Sequence, residues 1–251
     1  MFDKKLASSF QITDSYAPTL DQVGADTRIR YLQRVLLWTA GGLAVAAVSG
    51  LLSVKIIAAT PALQNQMASL IIILGGMFFA QMVCGGMVRQ PATRVFGFLL
   101  GNAVEGLTLG YLLLAAINVS SVQFGDPWLL ISQALGLTVL VAVSLTAYVW
   151  TKPREFRWAQ AVVGSLFLPM IALMITSFVF PTLFGGTLGL IFSAVFVAIS
   201  ALGLLLSIRD VLHHLREDQA IEGAFVISMG ILVLFWNILS LLIRLAGSSR
   251  D

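Results

Sequence analysis

Seven apolar runs, each about as long as a bilayer is thick, constrain this chain more than any motif in it. They cover Val35–Ser53, Met67–Val88, Val95–Ile117, Trp128–Trp150, Trp158–Phe180, Leu188–Ile208 and Ala220–Ile243. A helix rising 1.5 Å per residue needs roughly 20 residues to cross a hydrocarbon core of ~30 Å. Inside lipid every backbone N–H and C=O must be bonded within the protein, so runs of this length are expected to be helices. A membrane barrel would show alternating segments of ~10 residues instead, and none is visible. The charge content agrees: 11% of the 251 residues are charged, against about 25% in a soluble domain. The sequence predicts an all-α polytopic membrane protein with seven transmembrane helices.

The connections are short and rich in turn formers: Pro61, Arg89-Gln90-Pro91, Gly125-Asp126-Pro127, Lys152-Pro153, Pro181 with Gly185-Gly186, and a charged hinge between the last two runs. Short connections make neighbouring helices antiparallel. No domain boundary interrupts residues 31–251, which are expected to form one transmembrane domain. Residues 1–30 mix charge with Ser, Thr, Asp and Pro, lack the pattern of a cleavable signal and read as a mobile cytoplasmic tail. Lys and Arg set the orientation. With the N-terminus in the cytoplasm, that side holds Lys4, Lys5, Arg28, Arg30, Arg34, Arg89, Arg94, Lys152, Arg154, Arg157, Arg209 and Arg216. The other side holds only Lys55, Arg244 and Arg250. This bias predicts N-terminus in and C-terminus out.

Polar residues inside the spans are the candidates for function, because a charge at mid-bilayer costs about 2.5–3.5 kcal/mol on insertion scales. Glu105 is the ionisable residue nearest the centre of a span. Gly97, Gly101, Gly106 and Gly110 share its span at spacings that permit close helix packing, so Glu105 is expected to face protein. Two readings stand. It contacts an ion or proton, or it is a neutral structural acid held by Asn102 and Thr108 of its own span or by Asn237 and Ser240 of the last one. Asn102, Gln133, Gln160, Asn237 and Ser240 otherwise read as interhelical hydrogen bonders.

Several chemistries find no support. No HExxH, GxSxG or phosphate-binding loop occurs, so no catalytic residue, enzyme activity or cofactor is expected. The adjacent His213 and His214 point to different helix faces, a poor metal spacing, and the single Cys84 lies inside an apolar run as a small core residue. A formal net charge of +3 with no basic patch gives no sign of nucleic acid as a partner, and the expected surroundings are the lipid bilayer.

Thr146-Ala-Tyr-Val-Trp-Thr-Lys-Pro-Arg-Glu-Phe156 resembles a segment of the Bax inhibitor-1 (TMBIM, UPF0005) family at its fourth-to-fifth span junction. Glu105-Gly106-Leu-Thr-Leu-Gly110 is similar to the family's third-span segment. Ser193 to Ser200, Val211-Leu-His213 and Trp236 to Leu242 with the ending Gly247–Asp251 resemble its bacterial YccA branch. The resemblance runs from about Tyr31 to Asp251. It implies six helices around a central, C-terminal seventh, a bacterial inner membrane, and a non-enzymatic regulator that binds a membrane AAA protease. Many members also carry an aspartate pair that gates a Ca²⁺ leak by sensing protons. Aligned on these motifs, the first aspartate position falls on Ser207, with Asp210 one turn later as a substitute, and the second on Gly230 or Leu234. The resemblance therefore leaves the proton-gated leak without its matched carboxylates; a cation (Ca²⁺) or H⁺ path would have to use Glu105 or Asp210.

Overall fold

The computed structural model describes residues 25–151, 186–213 and 215–248, and every regular element among them is helical. The helices are α1 (Ala25–Ala59), α2 (Gln66–Phe78), α3 (Gly85–Arg89), α4 (Arg94–Phe124), α5 (Leu129–Thr151), α6 (Gly186–His213) and α7 (Ala220–Ser248). A π-turn, Phe79–Cys84, joins α2 to α3, so these make one span. Six spans are therefore described, long and apolar enough to cross a membrane. The run expected as a fifth span, Trp158–Phe180, lies outside the described residues, as do most of the N-terminal tail, Gln160, His214 and the last three residues.

Local chemistry places the breaks. The Asn65 side chain accepts a hydrogen bond from the Met67 N–H and caps α2. At the end of α4, Gly125 takes φ 72°, a left-handed conformation open to glycine, and its N–H closes on the Ser121 carbonyl. Asp126 then accepts from the Trp128 N–H to turn the chain into α5. The π-turn answers a mismatch of period. Ala80, Cys84 and Val88 are all buried and recur every four residues, slightly more than the ~3.6 of an α-helical turn. The wider turn, in which the Gly85 N–H reaches back to the Ala80 carbonyl, keeps them on one face.

The helices α1, α4 and α7 run in the same direction. Gly42 lies against Asn102 and Phe98, Gly50 against Gly106, and Gly110 against Ser53, which aligns α1 with α4. Gly101 lies against Phe225, and Leu109 packs with Leu232, which aligns α4 with α7. The end of the bundle where these three helices start is the near end. There the Arg94 Nη1 donates to the Asp218 carbonyl at 2.7 Å and Arg89 pairs with Glu222 at 3.8 Å, tying the loop between the second and third spans to the last hinge. The hinge is itself fixed: the Arg216 N–H donates to Gln219 Oε1, and Gln219 Nε2 donates to Glu222 Oε2.

Charge separates by end. Arg30, Arg34, Arg89, Arg94, Arg209 and Arg216 collect at the near end, while Lys55 and Arg244 lie toward the far end. The last helix packs on α1, α3, α4, α5 and α6, and α4 touches α1, α2, α3, α5 and α7, so the centre of the described bundle is shared between α4 and α7. Two large apolar clusters and a small one of Ala46, Leu109 and Leu232 fill it. One large cluster joins Leu204, Leu234, Ile238 and Leu239 to Leu130 and Ala134, and the other joins Tyr31, Val35, Phe98, Ala224 and Phe225.

Candidate functional site

The glycines of α4 make two contacts, and Glu105 falls between them. A Cβ on Gly97 would come within 2.7 Å of Met87 Cβ, and one on Gly101 within 2.6 Å of Phe225, so this pair admits α3 and α7. A Cβ on Gly106 or Gly110 would collide with Ala46 and Ser49 or with Ser53, so the second pair admits α1. Gly101 and Gly106 are five residues apart, which at 100° per residue turns the second contact about 140° from the first. Both pairs have the four-residue spacing that brings helix backbones together in lipid. Across the α1 contact, Ser53 Oγ donates to the Leu107 carbonyl at 2.7 Å, a bond between helices.

Glu105 sits on the arc between those two contacts, which α7 fills. It is 2% exposed, and Asn102, one turn before it, is fully buried. With Phe225 against Gly101 and Leu232 packed with Leu109, the carboxyl lies at the level of Ser228 and Met229. The expectation that Glu105 faces protein holds.

The expected hydrogen-bond clamp is corrected. Thr108 Oγ1 donates to the Glu105 backbone carbonyl at 2.7 Å, and Asn102 Nδ2 donates to the Phe98 carbonyl at 2.9 Å. Both side chains serve their own helix, a local option open to short polar side chains. Asn237 Nδ2 likewise donates to Val233. Asn237 and Ser240 are also eight or more residues beyond the Glu105 level on α7, roughly 13 Å along the axis. Glu105 Oε2 and Asn102 Oδ1 are buried without a hydrogen-bond partner among the described residues. The polar residue of α7 at this depth is Ser228, which sequence reasoning passed over; it is fully buried and donates to the Phe225 carbonyl. Its signal was the spacing Ala224, Ser228, Leu232 along the buried stripe of α7.

The other candidates lie elsewhere. Asp210 is at the near end, where it pairs with Arg209 at 3.6 Å. Gly223 meets Val211 and Gly101 meets Phe225, which sets Asp210 near the level of Leu100 of α4, roughly 7 Å along the bundle from Glu105. Ser207 Oγ donates to the Gly203 carbonyl. A Cβ on Gly230 would meet Leu204 Cδ1 at 3.0 Å, and Leu234 is fully buried in the apolar cluster. These three positions carry no acid, and two of them are packed by leucine.

Six long apolar helices around a packed core, with arginines gathered at one end, define a polytopic helical membrane protein. The family follows from the sequence match: a family model described as "Inhibitor of apoptosis-promoting Bax1" matches residues 28–248, and the chain belongs to this Bax inhibitor-1 family. No curated protein and no solved structure matches the chain.

Proposed function

We propose that this chain is a non-enzymatic regulator of the Bax inhibitor-1 type, related to the YccA branch, that acts through membrane protein partners such as a membrane AAA protease. The carrying observation is at the positions that match the family's aspartate pair. Ser207 bonds its own helix, Gly230 is closed by Leu204, and Leu234 is buried among leucines, so no carboxylate pair can form there. The seven-span topology is supported by helix direction. The fourth span, α5, starts at the far end after the Gly125 turn and closes at the near end; α6 ends at the near end and therefore opens at the far one. The chain thus changes ends between Thr151 and Gly186, and the apolar run Trp158–Phe180 has the length to span. The arginine-rich near end is assigned to the cytoplasm of a bacterial inner membrane, with residues 1–30 on that side and the C-terminus outside.

One observation favours a second reading, a cation or proton path through Glu105: its Oε2 and Asn102 Oδ1 are buried one turn apart, both without partners among the described residues. Two assays on the same preparation separate the readings. Cross-linking and purification from native membranes should recover a reproducible membrane partner, and failure to recover one overturns the first reading. Proteoliposomes should show no Ca²⁺ or H⁺ flux above empty vesicles; a flux abolished by Glu105→Gln establishes the second.

A further inference from the structure

Gln81 lies in the second span, eight residues from Arg89 and fifteen from Gln66, so roughly 12 Å and 22 Å from the span's ends. It is exposed on the outside of the bundle, and it has no hydrogen bond among the described residues. The other exposed amides of the spans, Gln33, Gln66, Asn118 and Gln133, lie within about 9 Å of a span end and can reach the interface. The exposed hydroxyls Ser144 and Thr146 are satisfied by the carbonyls of Leu140 and Ala142 on their own helix. Gln81 has neither escape. A primary amide with two donors and an acceptor is thus presented to hydrocarbon, where an unmade hydrogen bond is costly. Beside it Phe78 and Met82, 65% and 60% exposed, offer a large apolar surface.

We propose that Gln81 is the polar centre of a two-fold contact between two copies of this chain. All copies insert in the same direction, so the two-fold axis runs along the membrane normal. Two second spans meeting on that axis run parallel, with identical residues opposite each other at equal depth. Only a group complementary to itself can be paired there. A carboxylate or an ammonium would repel its twin, whereas a carboxamide donates to and accepts from its twin at once. Phe78 and Met82 then pack around the amide pair, in the manner of polar residues that hold helices together in lipid. This contact is independent of the regulatory reading: it uses the outer face of the second span, away from the packed region around Glu105.

The test is made on the full chain in phosphatidylethanolamine and phosphatidylglycerol vesicles. Energy transfer between labelled copies should report a dimer, and Gln81→Leu should raise its dissociation constant about ten- to three-hundred-fold, the worth of the two interhelical hydrogen bonds of the amide pair. Gln81→Asn should retain part of the affinity. In a Cys84→Ala background, Gln81→Cys should give a disulfide-linked dimer on mild oxidation far more readily than Leu137→Cys on the exposed face of α5. The proposal is overturned if Gln81→Leu leaves the dissociation constant unchanged. Cross-linking of Gln81→Cys no better than Leu137→Cys also overturns it.

Discussion

Replacing Gly106 by alanine should loosen the contact between the first and third spans, and the magnitude can be worked from what surrounds it. The new Cβ would fall on the Ala46 carbonyl and the Ser49 hydroxyl. The serine can rotate, but the carbonyl belongs to the backbone of α1, so the whole helix has to move. Forcing one methyl into a packed core costs about 1–3 kcal/mol. Alanine recovers up to about 1 kcal/mol of helix propensity over glycine. Movement of α1 also weakens the Ser53–Leu107 bond, worth about 0.5–1.5 kcal/mol. The net expectation is a loss of roughly 1–3 kcal/mol, about a 5- to 160-fold shift in the folding equilibrium. Gly41, one residue from Gly42 but with nothing within 4 Å of its Cβ position, is the control. Steric-trapping unfolding in bicelles measures both variants. Gly41→Ala should be neutral or slightly stabilising. If Gly106→Ala costs no more than Gly41→Ala, the close approach of α1 and α4 is wrong, and with it the placement of Glu105.

Three further outcomes are expected. Glu105→Leu should be as stable as the parent or more stable, by up to about 3 kcal/mol, because no described side chain donates to the carboxyl and a mid-membrane acid is costly; a clear loss in thermal unfolding would reveal a donor to Glu105. Cysteine labelling in intact cells should find the Arg89–Arg94 loop and the Arg209–Glu222 hinge on one side and Asp126 on the other, and equal accessibility of all three would overturn the helix directions. Any Ca²⁺ flux through the reconstituted protein should change less than about three-fold between pH 6 and 8, since no carboxylate pair occupies Ser207 with Gly230 or Leu234; a steep proton dependence would show that Glu105 or Asp210 has taken over as sensor.

The spans were legible because the bilayer reads one property, sustained apolarity, and reads it over whole helices. Boundaries were less so. The first apolar run covers Val35–Ser53, yet α1 extends from Ala25 to Ala59, because a helix can continue past the hydrocarbon wherever its backbone bonds are satisfied. The π-turn at Phe79–Cys84 was invisible, since apolar content does not change where the period widens. The glycines of the third span read from the sequence as packing sites, without the division into two contacts. The five-residue step from Gly101 to Gly106 was the written signal that there are two.

Burial of Glu105 could be argued from the cost of exposing it, but its partners could not, because they depend on the register between helices far apart in sequence. Asn237 and Ser240 were reasonable partners only for a last helix set about two turns lower. The register is fixed instead by Phe225 closing on Gly101 and by the Arg94 and Arg89 contacts with the hinge, which hold α7 where Ser228 meets the depth of Glu105. Gln81 escaped notice for the opposite reason. Its span is apolar and its neighbours unremarkable, so only the three-dimensional assignment of which face looks outward distinguishes an amide that needs a partner from one already satisfied. In a membrane bundle the sequence therefore states which polar groups are costly, while helix rotation and register decide which of them remain unpaired, and those are the groups through which such a protein can act.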